Sequence, residues 1–305
     1  MAKKVLMTGA TGYIAEQVLP AFQECFDLSL VDVKTENRHG DHVDGVITAD
    51  LMNIDRSAYE SLFDGVEAVV HLAYKRRSGE PIDHFYVENQ NVIMAYNVLR
   101  SALEAGVGRV VMASSNHAAD WYEHNLIHSR KMEMLDPYTL PLSDNFYGWA
   151  KAAYEHMGFV FANGLGGFLD ASGRWKHIGD PFTGRRMGVV MVRIGAPRNL
   201  DLANYKGETA NLKRYLGAYI SPRDLTQLIR KAVDTPHIEN EHGIPWQVVY
   251  GVSNNTRAFW SLRNAREVIG YAPEDDSEVL FANDIQRLLM GKDAQGGRVG
   301  KEGSP

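Results

Sequence analysis

The chain has 305 residues and a net charge of −6, enough length for one large α/β domain or two small ones. The acidity argues against a nucleic-acid or membrane-surface role, and no uninterrupted apolar run is long enough to span a bilayer. A single cysteine, Cys25, excludes an internal disulfide. The N-terminal residues run straight into a strand-like segment without a signal-peptide core, so a cytoplasmic protein is expected.

Lys4 to Met7 reads as a short buried strand. It leads into Thr8-Gly9-Ala10-Thr11-Gly12-Tyr13-Ile14-Ala15 and a helix to about Cys25. Strand, Gly-rich turn and helix is the context in which such a loop cradles a dinucleotide pyrophosphate. Gly9 lets the chain turn tightly, and Gly12 lets the backbone approach phosphates that face the helix N-terminus. Ala15, in place of a third glycine, is small enough for close helix–strand packing. Gly9, Thr11, Gly12, Tyr13 and Ile14 are therefore candidate cofactor contacts. The competing reading is a plain strand–helix turn.

The second strand, Leu28 to Val33, carries Asp32 at its end, roughly 20 residues after the glycines, where an acid accepts from the ribose hydroxyls of a dinucleotide. A 2′-phosphate there would meet like charge, so NAD is favoured over NADP, although Lys34 and Arg38 stand close in sequence. The third strand, Val46 to Leu51, ends in Asp50-Leu51. These two are candidate contacts on the adenine side, with Asp50 as N-cap of a helix near Ile54 to Phe63 the competing reading. The fourth strand, Ala68 to Ala73, is apolar except for His71, which reads as a satisfied interior histidine. Its end, Leu72-Ala73, is another candidate cofactor contact. Lys75-Arg76-Arg77 follow, either as a solvated run or as charge at the sheet edge where ligands bind. A helix from about Asp83 to Ala105 carries Asn91 and Asn97.

Arg109 to Ala113 is the fifth strand and delivers Ser114-Ser115-Asn116-His117 to the same edge. Trp121 to Leu142 is long and irregular, as an active-site loop would be. His124 and His128 are spaced i, i+4 there, but there is no Glu-flanked helical metal motif and no cysteine, so solvated histidines and no metal are expected. In Asn145-Phe-Tyr-Gly-Trp-Ala-Lys151, Tyr147 and Lys151 fall one helical turn apart. A phenol titrates near 10, and an ammonium beside it favours the phenolate, which makes the pair a device for moving a proton on or off a hydroxyl. A half-buried Tyr beside a surface Lys is the competing reading.

Turn signals between about 166 and 187 suggest a hairpin inserted before the sixth strand, Gly188 to Ile194. Ser221-Pro222-Arg223-Asp224 caps a helix to Val233, Gln247 to Val252 is the last strand, and Phe259–Ile269 and Ser277–Leu289 read as helices. The expected organisation is a Rossmann-type doubly wound parallel α/β sheet over 1–196, a small C-terminal substrate-binding part over 197–290, and a disordered tail over 291–305.

The Gly-rich loop, the acid after the second strand, Ser115 and Tyr147-x-x-x-Lys151 occur in one order, and over residues 3 to 290 they resemble the extended short-chain dehydrogenase/reductase superfamily. The resemblance implies that Tyr147 is the proton-transfer base, that Lys151 lowers its pKa and holds the nicotinamide ribose, and that Ser115 orients the substrate oxygen. Asn91 matches the helix asparagine of the family, but the glycine usually found after it is Met94 here. Ala113-Ser-Ser-Asn-His117, Val192-Arg-Ile-Gly195, Arg214 with Ser221 and Asp224, and Val249 to Asn254 are similar to uronate dehydrogenases and related NAD-dependent sugar dehydrogenases. Those enzymes oxidise the anomeric carbon of a cyclic sugar to a lactone. The likeness implies substrate contacts from Asn116, His117 and Arg214, with the arginine holding a carboxylate. Pairing of Arg214 with a nearby acid such as Asp224 is the alternative. Ala196 replaces a serine that touches substrate in those enzymes, and both the 166–187 hairpin and the longer Lys75–Arg77 loop depart from their pattern. A small anionic sugar as substrate, NAD as cofactor and a homodimer or higher oligomer through the long helices are the expectations. A nucleotide-sugar epimerase or dehydratase, or a non-catalytic NAD-binding protein of the same fold, are the rivals.

Overall fold

The computed structural model describes residues 2–164, 186–198 and 209–290. Residues 165–185, which hold all but the last two positions of the expected hairpin, and the tail 291–305 lie outside them. In chain order the main elements are β1 (Lys4–Thr8), α1 (Tyr13–Cys25), β2 (Asp27–Asp32), β3 (Val46–Thr48), β4 (Ala68–His71), α2 (His84–Ala105), β5 (Arg109–Ser115), α3 (Asp120–Tyr122), α4 (Phe146–Ala162), β6 (Gly188–Ile194), α5 (Thr209–Ala218), α6 (Pro222–Asp234), β7 (Trp246–Gly251), α7 (Arg263–Ile269), α8 (Ser277–Leu280) and α9 (Ala282–Met290).

The strands form one parallel sheet in the order β3-β2-β1-β4-β5-β6-β7. The inner strands β4 and β6 are buried along their whole length, apolar but for His71 and Arg193, because helices cover both faces. One face packs α1 and α6 over Val18, Phe22, Leu225 and Leu228. The other packs α2 and α4 over Val98, Leu99, Tyr154 and Phe161. The chain enters at β1, works outward to β3, and returns to β4 on the other side of β1. That reversal opens a crevice at the carboxyl ends of β1 and β4, where ligands of open α/β sheets bind. Among the described residues no helix is long and apolar enough to cross a membrane.

Several sequence expectations change in detail. The helix expected near Ile54 to Phe63 is two single 3₁₀ turns, Arg56–Ala58 and Glu60–Phe63. Asp55 caps the first of them, accepting from the Ser57 amide. Asp50 caps no helix; its Oδ1 closes a tight turn by accepting from the Met52 amide at 2.9 Å. The helix read from Phe259 starts only at Arg263, and the last one breaks at Phe281 into α8 and α9.

Candidate active site

The Gly-rich loop is shaped by close backbone approaches. Gly9 has φ +72°, and a Cβ there would lie 2.5 Å from the Ala73 amide nitrogen and 2.7 Å from the Leu72 carbonyl carbon. Only glycine lets the loop pass this close to the end of β4. Gly12 is the N-cap of α1 and offers no side-chain cap, so the first amides of the helix keep their free donors and positive field. Thr11 donates to Asp32 Oδ2 through its amide at 3.0 Å and its hydroxyl at 2.8 Å, which fastens the loop to the acid at the end of β2. Uncapped helix amides and an acid at the second strand's end fit a dinucleotide pyrophosphate and ribose. Arg38 lies 4.2 Å above the Tyr13 ring and pairs with Glu16 at 3.2 Å. Leu51 is buried, and its carbonyl accepts from Asn97 Nδ2 at 2.9 Å.

The chemistry-bearing residues meet where β5 ends. The Asn145 side chain caps α4 by accepting from the Gly148 amide at 3.0 Å. This cap starts the helix so that Tyr147 and Lys151 share a face. Gly148 is required there, because a Cβ would fall 2.0 Å from the His117 carbonyl oxygen and 2.1 Å from Ser143 Oγ. The Tyr147 ring lies 5.7 Å from the His117 ring and 5.5 Å, edge to face, from Tyr74. Lys151 Nζ donates to the Ala113 carbonyl at 2.9 Å and is 5.7 Å from the centre of the Tyr147 ring.

Electrostatically the pair differs from the sequence expectation. Burial pushes the Tyr147 hydroxyl above the ordinary phenol range; its Ser115 hydrogen bond and the Arg77 and Arg198 guanidiniums pull it back, while Glu88 adds to the rise. Burial also brings Lys151 down to about 8, against Glu88 and Glu155, which favour its charge. Both groups are thus driven toward their neutral forms, and the lysine alone does not bring the phenol into the working range. His71 is interior, as expected, but only half satisfied: Nδ1 bonds Thr8 Oγ1 at 2.7 Å while Nε2 is buried without a partner, and burial and the nearby Lys151 lower its pKa to about 3, so it is neutral.

Ser115 Oγ accepts from the His117 amide at 3.3 Å and bonds Asn116 Oδ1 at 3.4 Å. Asn116 Nδ2 is buried without a hydrogen-bond partner, a donor ready for a ligand. His117 Nδ1 bonds Asp120 at 2.9 Å, and Asn145 Nδ2 donates to the same carboxylate at 2.7 Å. Burial raises the Asp120 carboxyl, but the hydrogen bonds from His117, Ser143 and Asn145 outweigh it and hold the group below the usual carboxylate range. His124 and His128 are bound to acids, at 2.7 Å to Asp144 and 3.3 Å to Glu123. Asp120, His124 and Asp144 each bring one possible ligand atom within 4.8 Å of the others; Asp120 Oδ2 and His124 Nδ1 are engaged in the hydrogen bonds just described, while Asp120 Oδ1 is buried without a partner.

Arg214 is part of the same wall, but its partner is neither Asp224 nor open solvent. Its Nε donates to buried Glu123 at 2.6 Å. Asp224 is satisfied elsewhere, by Ser253 Oγ at 2.6 Å and the Glu274 and Asp275 amides. Asn91 is buried and holds the loop after β4, accepting from the Lys75 amide at 2.8 Å and donating to the Lys75 carbonyl at 3.0 Å.

Several buried charges escaped the sequence reading. Glu88 on α2 has no exposed surface and accepts from Tyr74 at 2.6 Å. Glu155 receives Arg193 in two bonds of 2.8 and 2.7 Å and Ser114 at 2.7 Å, while Arg193 also reaches the Tyr250 hydroxyl at 2.8 Å. Glu123 anchors Arg214. A guanidinium in the middle of the apolar Gly188–Ile194 run was the available signal, since a buried arginine requires a buried acid. Glu155 follows Lys151 by one turn and was its natural partner.

A sequence profile described as the NAD dependent epimerase/dehydratase family matches residues 5–166. The NAD-dependent glucose-6-phosphate dehydrogenase of Haloferax volcanii is 30% identical over 91% of this chain and 95% of its own length. The uronate dehydrogenase of Pseudomonas putida is 28% identical over 92% of this chain and 87% of its own. Among solved structures, a mutant uronate dehydrogenase from Agrobacterium tumefaciens, complexed with NAD, superposes with a TM-score of 0.66 at 22% identity, covering 94% of this chain and 90% of that one, which establishes a shared fold. The chain belongs to the NAD-dependent epimerase/dehydratase family.

Proposed function

We propose that the protein is an NAD-dependent dehydrogenase that oxidises a cyclic sugar at its anomeric carbon to the lactone, and that the sugar carries an acidic group away from that carbon. The observation that carries the reading is the meeting of Ser115, Tyr147 and Lys151 at the carboxyl edge of the sheet, beside a loop suited to a dinucleotide. Full-length likeness to a glucose-6-phosphate dehydrogenase and to uronate dehydrogenases supports the reaction type.

When bound, NAD supplies the hydride acceptor. The chain would hold it with Gly9, Thr11, Gly12, Tyr13 and Ile14 along the phosphates, Asp32 at the ribose, Asp50 and Leu51 at the adenine, and Leu72, Ala73 and Asn91 along the crevice. Lys151 would hold the nicotinamide ribose. Ser115 and Tyr147 hydrogen-bond the anomeric oxygen, and Asn116 and His117 position the ring. Tyr147, as phenolate, takes the hydroxyl proton. Loss of that proton and of a hydride from C1 leaves a lactone carbonyl; the two electrons leave with the hydride, and the tyrosine proton passes on to solvent. The proton transfer is worth about 10²–10⁴-fold. Arg214 is the group that would grip the substrate's acid, with Glu123 acting as the internal carboxylate that holds the guanidinium until then.

The division into a cofactor part, residues 1–196, and a substrate part, residues 197–290, belongs to the same reading. So does a homodimer joined through α2 and α4, where Phe85, Tyr86 and Trp149 are exposed; its mass is read by sedimentation. The decisive experiment is NADH formation across uronates, sugar phosphates, sugar sulfonates and their neutral parent aldoses. Net NADH, with kcat/KM at least about tenfold higher for a charged sugar than for its parent, is the expected result, because one charge-assisted contact is worth roughly 1.5–3 kcal/mol. Product without net NADH would favour an epimerase. Equal rates on charged and neutral sugars would remove the anionic substrate.

A further inference from the structure

Arg77 stands on the loop between β4 and α2, in the charge run that the sequence leaves undecided between solvent and site. Its guanidinium carbon lies 4.8 Å from the centre of the Tyr147 ring. Its Nε is 3.6 Å from Glu88 Oε1. Glu88 is held in turn: Tyr74 donates to it at 2.6 Å, and Asn91 Nδ2 lies 3.3 Å away. Asn91 also pins the backbone of Lys75, two residues before Arg77, by two hydrogen bonds. The loop is therefore fastened at both its backbone and its charged tip. A carboxylate with no exposed surface is costly without a cation nearby. Here one cation near it, Arg77, also rests on the phenol ring.

We propose that Arg77 is a positioning residue for the reaction: anchored by Glu88, it acts through Tyr147 by stabilising the phenolate alongside Lys151. The inference rests on the reading of Tyr147 as the base.

The charged and titratable groups around Tyr147 come from every neighbouring element. Tyr74 and Arg77 come from the β4–α2 loop and Glu88 from α2. His117 follows β5, Arg198 follows β6, and Lys151 and Tyr154 share α4. Glu88 opposes the phenolate. Tyr74 donates its proton to Glu88, and His117 is bound to Asp120. Three cations remain in favour of the phenolate. Lys151 is turned to the Ala113 carbonyl, and Arg198, like Arg77, is exposed, so exposure does not separate the two arginines. Among the described residues, Arg77 alone combines contact with the ring face and a buried anchor. Without it, the negative charge of Glu88 would act on Tyr147 unopposed from that side.

The sign follows directly. Removing a neighbouring cation raises a phenol's pKa, so the rise of kcat with pH should move to higher pH. At this separation, in partly buried surroundings, the displacement is about one pH unit.

The test compares wild type, Arg77→Gln and Arg77→Lys. Tyrosines labelled with carbon-13 at Cζ are titrated by NMR in the cofactor-free protein, and the Tyr147 signal is assigned by its loss in Tyr147→Phe. Arg77→Gln should raise the Tyr147 midpoint by about one unit, and Arg77→Lys should return it to within about 0.3 unit of wild type. The kcat limb at saturating sugar should move by the same amount, with KM changed equally for charged and neutral sugars. An unmoved midpoint in Arg77→Gln overturns the inference. So does absence of Tyr147 ionisation up to about pH 11 in wild type, in which case the arginine is not making a usable base. A rise in KM confined to charged sugars, with the midpoint fixed, makes Arg77 a substrate clamp instead. If Tyr147→Phe kept its turnover, the base reading would fall, while the NMR midpoints would still decide whether Arg77 controls the phenol.

Discussion

The two sides of the crevice are built in different ways. On the cofactor side, the phosphate and ribose features come from short contiguous stretches: a loop of eight residues, Thr8 to Ala15, and one acid at the end of the next strand. Thr11 and Asp32 are 21 residues apart and join β1 to its immediate neighbour β2. On the substrate side, the arginines lean on partners far away in sequence. Arg214 is held by Glu123, 91 residues earlier, and Arg193 by Glu155, 38 residues earlier. The cofactor side needs backbone shape, which glycine and a strand–helix turn supply locally. The substrate side needs charge placed in a low-dielectric wall, which only a partner from another element can make tolerable.

The largest effect should follow from Tyr147→Phe, which removes the proposed base where the two sides meet. It is expected to lower kcat by about 10²–10⁴-fold and to leave NAD binding nearly intact, because phenylalanine keeps the ring and removes only the proton site. Single-turnover rates and equilibrium binding of NAD separate the two effects. Retention of more than about a tenth of kcat would mean that the proton leaves by another route.

Glu155→Gln attacks the frame of the substrate side without touching the substrate groups. Glu155 ties α4, which carries Tyr147 and Lys151, to β5 through Ser114 and to β6 through Arg193. An amide in its place leaves the Arg193 charge buried and unpaired, a change that costs about 3–5 kcal/mol when one partner of a buried pair is removed. Urea unfolding reads it directly. A loss below about 1 kcal/mol would show that Tyr250, which also bonds Arg193, is enough to hold the guanidinium, and that the long-range pair is not what secures this wall.

The same contrast explains what the sequence made legible. Apolar runs and the Gly-rich loop gave the parallel sheet, its seven strands and the helix of Tyr147 and Lys151, because each is a matter of local period and turn chemistry. The short 3₁₀ turns at 56–63 look like one helix in the sequence, since composition does not distinguish a few turns from a full one. The partners of Arg214, Arg193 and Arg77 were not visible, because an acid on a helix looks the same whether it faces water or a guanidinium from another strand. Glu88 illustrates this: three residues before Asn91 it reads as ordinary helix surface, yet it has no exposure at all.

The smallest effect should come from the cofactor side, at Asp32. The carboxylate already accepts two hydrogen bonds from Thr11 and one, at 2.7 Å, from the Val33 amide. Its charge is therefore fixed in position rather than free to turn away, and a 2′-phosphate brought to the end of β2 would meet it directly. Arg38 does not offset this, because it is stacked on Tyr13 and paired with Glu16. NAD should accordingly be preferred over NADP in kcat/KM. Asp32→Asn keeps the shape and an acceptor for Thr11 but removes the charge, so it should narrow the preference by about tenfold, the equivalent of roughly 1.4 kcal/mol at a solvent-facing strand end. The narrowing should come from improved use of NADP more than from loss of NAD. A wild-type preference for NADP would sink the assignment of Asp32 to the ribose. An unchanged ratio in Asp32→Asn would show that the discrimination lies in the shape of the loop and not in the charge of the acid.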